Sequence, residues 1–150
     1  MTQMEMSSML DELDELRQAV QSGNYQLALA LIDEMDEMSR DDKITKIESY
    51  MRVLLIHLIK QQAEDRLTRS WQASMDEAVE RIRAINKRRR SGGYYLDEDA
   101  LAESLRDMWP SALRWAALEA FEGVYTADQL ATMVQQDDLL ATALQQLKQQ

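Results

Sequence analysis

From Lys43 to Arg90 the chain runs for 48 residues without a single Gly or Pro. Tight β-turns draw on those two residues, so a strand-and-hairpin reading fails over almost a third of the molecule. As one helix this stretch would span roughly 70 Å at 1.5 Å per residue, too long for a compact domain of this size. A break is expected near Glu64–Ser70, where polar residues cluster and Ser70 or Ser74 can act as N-cap. Ser74-Met75-Asp76-Glu77 also has the spacing of a capping box. The stretch then divides into helices over about 43–63 and 70–90, closed by Ser91-Gly92-Gly93.

The flanking segments are read the same way. Leu10, Leu13, Leu16, Ala19 and Val20 recur at helical spacing, so a first helix is expected over about Ser8–Gln21, ended by Ser22-Gly23-Asn24. A second runs from Tyr25 to Met38, with Ser39-Arg40-Asp41-Asp42 as the next turn and cap. Asp97 can cap a helix through Met108, Pro110 suits the first turn of another reaching Glu122, and Gly123 stops it. Thr126-Ala127-Asp128-Gln129 matches a capping box and opens a last helix to about Lys148. The expected fold is all-α, an up-and-down bundle of about six to seven helices. It forms one domain over 1–150 with a C-terminal amphipathic helix. No repeat of 20–50 residues is evident.

Composition narrows the chemistry. Cysteine is absent, which removes disulfides, thiol catalysis and cysteine metal sites. No run of about 18 apolar residues exists, and MTQMEMSSMLDELDEL is acidic rather than a basic-plus-apolar signal. The cytoplasm is the expected compartment. Of ten Met, four fall in the first nine positions, and the rest fit core spacing.

Charge is uneven. Residues 1–42 hold 11 acids and 2 bases (−9), residues 43–90 hold 6 acids and 12 bases (+6), and residues 91–150 hold 10 acids and 3 bases (−7). The bases peak at Arg81, Arg83, Lys87, Arg88, Arg89 and Arg90. A basic stripe can neutralise phosphates, but this one ends a helix, where cations suit the dipole, and acidic segments lie on both sides. Nucleic-acid binding is therefore not expected.

The run Arg52-Val53-Leu54-Leu55-Ile56-His57-Leu58-Ile59-Lys60 is followed by Ser70-Trp71 and preceded by Asp33-Glu34-Met35-Asp36-Glu37-Met38. Farther on comes Met108-Trp109-Pro110-Ser111-Ala112. This order resembles a largely cyanobacterial family catalogued as domain of unknown function twenty-nine, over about residues 22–120. Gln61 stands where that family usually has Trp, and Gly92-Gly93 replaces its Ser-Pro-Ser loop. Residues 124–150 read as a helical extension. The resemblance implies a helical fold and carries over no activity.

His57 is the only histidine, and the only side chain whose ordinary pKa lies near neutrality. On a helical wheel it falls at the edge of the core beside Tyr50 and Gln61. It could serve as a general base or ligand contact, supported by Asp33, Glu34, Asp36 or Glu37 from the preceding helix. Of these, His57, Glu34 and Glu37 are the candidate catalytic residues. The plainer reading, which takes precedence, is a buried histidine satisfied by one carboxylate or carbonyl. No metal and no cofactor is expected: the chain lacks the paired Glu-x-x-His elements of a di-iron bundle and a phosphate-binding Gly loop. Ser70-Trp71 reads as a capped helix start rather than a nucleophile.

The function that remains is a non-catalytic protein–protein interaction module with a protein partner or a second copy. Leu130, Met133, Val134, Leu139, Leu140, Ala143, Leu144 and Leu147 make the last helix its best interaction candidate, to dock on its own bundle or on a partner. That helix carries only Lys148 on its polar face, so membrane binding is not expected. The alternative is a small enzyme or ligand binder with a pocket around His57 and the acidic second helix.

Overall fold

A computed structural model describes residues 3–88 and 92–148, with side chains from residue 11 onward. Arg89, Arg90 and the side chains of the first four Met lie outside the described residues. Among the described residues six α-helices and one 3-10 turn follow in order: α1 (Gln3–Gln21), α2 (Tyr25–Glu64), α3 (Arg69–Asn86), α4 (Glu98–Glu119), the 3-10 turn Ala120–Gly123, α5 (Ala127–Ala131) and α6 (Gln136–Leu147). Among the described residues the only β pairing is an isolated bridge between Lys87 and Tyr94. The fold is all-α, as expected. Contacts divide the chain into two compact units, Met1–Asp42 and Lys43–Gln150.

The first unit is a helical hairpin. Gly23, at φ 76°, ends α1. The Asn24 N–H reaches the Ala19 carbonyl at 2.8 Å and the Gly23 N–H reaches Val20 at 3.2 Å, the paired bonds of a Schellman end. Asn24 then caps α2 by accepting from the Leu27 N–H at 3.3 Å. The helix expected to stop at Met38 does not stop. Ser39, Asp41 and Asp42 are cap formers by preference, but in a helix interior they cost only a few tenths of a kcal/mol each. With no Gly or Pro to break the hydrogen-bond ladder, α2 continues to Glu64.

The second unit holds the large core. From α2 come Ile47, Met51, Leu54 and Leu58, widened by Leu55 and Ile59. Met75, Ala78 and Ile82 of α3 meet them, with Leu101, Leu105, Trp109, Ala112 and Ala116 of α4. The break after Glu64 falls where the sequence places it. Asp65 takes φ 50°, and the Arg66 N–H returns to the Gln61 carbonyl. The cap of α3 is Thr68 rather than Ser70 or Ser74, its hydroxyl accepting from the Trp71 N–H at 3.1 Å. Asp97 caps α4 as expected, accepting from Ala100 at 2.9 Å.

Pro110 does not start a new helix. It lies inside α4, which runs unbroken to Glu119. The last helix is instead two. Thr126 and Gln129 form the expected capping box, but α5 ends at Ala131, where the Thr132 hydroxyl bonds the Gln129 carbonyl at 2.7 Å. The Gln135 N–H then donates to the Gln62 side chain of α2, satisfying a donor at the start of α6. This break lets Leu130 and Val134 face the core on one side of it and Leu139, Ala143 and Leu147 on the other. α6 packs on α4 and α3, so the C-terminal stripe is spent on the chain's own core.

Candidate functional site

The helical spacing of α2 puts His57 and Lys60 one turn apart on one flank, where α3 and α4 supply the neighbours. The Trp71 ring lies 6.4 Å from the His57 ring, tilted by 39°. The Lys60 ammonium sits 4.5 Å from the centre of the same indole, and the Arg66 guanidinium 4.9 Å from it. Lys60 Nζ also pairs with Glu119 Oε1 at 3.6 Å. Its side chain is only 8% exposed and that of Glu119 is 49% exposed, so the cation is buried and its partner is still half in water. An indole face and a carboxylate together replace the hydration that Lys60 gives up.

His57 is half-buried, and its Nδ1 is sealed from solvent with no hydrogen-bond partner. Its pKa is lowered, first by burial and then by the Lys60 charge, with Glu119 opposing. The imidazole is therefore neutral at pH 7. A general base needs an orienting partner on one nitrogen and a proton to collect at the other. Among the described residues the buried Nδ1 has no such partner.

Lys60→Met should raise the His57 pKa and Glu119→Gln should lower it further, read from the imidazole signals in a pH titration by NMR. An unmoved pKa in both variants would remove the electrostatic account. The stability sign follows: the unfolded chain takes up the proton near pH 6.5 while the folded chain resists it. Stability is therefore lost as pH falls below 6.5 towards the folded pKa, and His57→Gln lacks that step. Glu48 is displaced the other way, its pKa raised by burial and then by Asp107 of α4.

The other candidates are not gathered here. Glu34 and Glu37 are exposed and belong to the first unit. They share α2 with His57, not a separate neighbouring helix. The carboxylate that acts on His57 is Glu119, 62 positions away in sequence, with no motif to announce it. Ser70 is the second residue of α3 and exposed. Among the described residues no three His, Cys, Asp or Glu converge as a metal site would require. No helix among them is long and apolar enough to cross a membrane.

Part of the basic run is engaged inside the second unit. Arg83 donates to the Lys148 carbonyl at 2.8 Å, Arg81 pairs with Glu77 at 3.8 Å, and Arg88 lies over the Tyr95 ring.

No curated protein and no solved structure matches the chain. A family match covers residues 10–141, wider at both ends than the motif-bearing stretch and reaching well into the segment that reads as an extension. The chain belongs to the family described as Domain of unknown function DUF29.

Proposed function

We propose that this chain is a non-catalytic protein–protein interaction module that works through the hairpin of its first unit. One observation carries the reading. The hairpin buries Ala19, Ala28 and Leu31, yet leaves Leu13, Val20, Tyr25, Leu27, Leu29 and Ile32 between 39% and 67% exposed. Apolar surface gathered on one element in this way marks a surface that something else covers. His57 supports the reading from the other side, because its unpartnered nitrogen is turned away from solvent. The compartment we assume is the cytoplasm, which suits a cysteine-free chain. Neither nucleic acid nor a membrane is the partner we propose.

Co-purification of the tagged full chain from its own cells tests this. Proteins retained by the wild type should survive His57→Ala and be lost from Leu29→Asp. Retention in Leu29→Asp with loss in His57→Ala would reverse the assignment and favour a site at His57.

A further inference from the structure

Among the described residues, five of the six large exposed apolar residues of the hairpin fall on one side, Leu27 alone lying on the opposite flank of α2. Tyr25, Leu29 and Ile32 recur at i, i+4 and i+7, within about 60° of one another at 3.6 residues per turn. They adjoin the stripe of Ala28, Leu31 and Met35, of which Ala28 and Leu31 are fully buried. Leu13 and Val20 stand in the same relation to the buried Ala19 of α1, roughly 100° further round in the direction of winding. The turn at Ser22–Asn24 makes the two helices antiparallel. Seen from that turn, α1 winds counter-clockwise towards the viewer and α2 clockwise away. Flanks that follow each buried stripe in the sense of winding therefore fall on the same side of the pair. The result is one groove with Leu13 and Val20 on one wall and Tyr25, Leu29 and Ile32 on the other.

The rim of this groove is acidic. Asp36 occupies the next position of the α2 stripe, Asp33 and Glu37 border it, and Arg40 stands one turn beyond, all four exposed and net negative. Residues 1–42 carry 11 acids against Arg17 and Arg40, with no lysine. Arg17 is itself paired with Asp14 at 3.3 Å. A second copy would bring up another segment of net charge −9, and like charges brought together oppose association. A helix with an apolar stripe at i, i+3/i+4, i+7 and Lys or Arg beside it meets both requirements, seating its stripe between the walls and its cations on the rim.

We infer that the α1–α2 groove takes a basic amphipathic helix of a partner protein; the inference rests on the interaction reading above and names its occupant. The probe is a fluorescent 20-residue amphipathic peptide of Leu, Ala and Lys, with a twin in which Glu replaces every Lys. Binding to the full chain is followed by anisotropy. The Lys peptide should bind, and its Kd should rise at least tenfold between 50 and 500 mM salt and at least tenfold in Leu29→Asp. Leu118→Asp, at an exposed apolar position of the second unit (68% exposed), should leave it unchanged.

Leu29→Asp adds a negative charge, so attraction by surface charge alone would be kept or tightened by it, and that outcome overturns the inference. Equal binding of the Glu twin overturns it as well. If neither peptide binds and the wild type sediments as a dimer that Leu29→Asp dissociates, the occupant is a second copy. The inference then falls and the interaction reading stands. If neither binds and the chain is monomeric, the inference falls, and the interaction reading falls with it only when Leu29→Asp also loses no co-purifying protein.

Discussion

Asn86→Leu should cost the fold about 2–6 kcal/mol, because it orphans two buried backbone groups at about 1–3 kcal/mol each. Asn86 ends α3 and is 1% exposed. Its Nδ2 donates to the Leu96 carbonyl at 2.9 Å, and its Oδ1 accepts from the Leu96 N–H at 2.8 Å. Its own carbonyl accepts from the Tyr95 N–H at 2.9 Å. One side chain thus closes the loop between α3 and α4 and turns Leu96 into the core. Leucine has nearly the same volume and is apolar, so burial by itself favours it. A thermal or urea melt within 0.5 kcal/mol of wild type would mean the loop re-pairs without the amide.

Asn86→Asp sharpens this test. The shape is kept, and the Leu96 N–H keeps its acceptor, but a carboxylate cannot donate to the Leu96 carbonyl. Burial and that carbonyl both raise the pKa of the introduced carboxyl above its unfolded value of about 3.9. The folded variant therefore binds the proton more tightly than the unfolded one, and its stability falls as pH rises through and above that value. Relative to wild type, the deficit should be larger at pH 7 than at pH 4.5, as read by melts of both proteins at both values. A pH-independent deficit would place the damage in packing instead of the missing donor.

The parts of this fold that could be read from the sequence are those fixed within a few residues. Gly23, Asp97 and the Thr126–Gln129 box each act through backbone groups no more than five positions away, so their effect is local and visible. The break after Glu64 was legible for a different reason, since a single helix to Arg90 would outrun a compact domain. Where a local preference competed with the wider structure it lost. Ser39–Asp42 looks like a turn and is helix. Pro110 looks like a helix start and is a helix interior. The capping hydroxyl of α3 comes from Thr68, two positions before the serine that looked apt.

The surroundings of His57 were out of reach for the same reason in stronger form. Lys60 and Glu119 meet across 59 positions, and Trp71 joins them only because the turn at Asp65–Thr68 folds α3 back. Nothing in the spacing of those residues announces the meeting. What covers the C-terminal stripe was out of reach for a related reason. An apolar stripe tells that a helix face will be covered, but not by what. α6 finds its cover in α4 and α3, whereas the stripe at Tyr25, Leu29 and Ile32 finds none in its own hairpin.

Pro110 and Trp109 should respond to substitution with opposite signs. Trp109 is 5% exposed, and with Leu101, Leu105, Ala112 and Ala116 it forms the stripe that α4 lays on the core. Trp109→Ala removes a large buried ring and leaves a cavity, at about 3–5 kcal/mol. For a domain whose total stability is about 5–15 kcal/mol, that is a drop in melting temperature on the order of 10 °C. Its neighbour Pro110 is exposed and has no N–H, so the Arg106 carbonyl lacks the partner that a helix interior supplies. Such a proline costs about 3 kcal/mol, and its stiffening of the unfolded chain returns only about 0.4–1 kcal/mol. Pro110→Ala should therefore stabilise the protein by roughly 2–2.6 kcal/mol, seen as a higher urea midpoint at unchanged slope. Together the two shifts explain why α4 is continuous: the buried stripe on both sides of the proline, at about 1.5–3 kcal/mol for each large side chain, outweighs the interruption. A lower midpoint for Pro110→Ala would mean that the proline ring contributes packing or geometry that outweighs the restored hydrogen bond.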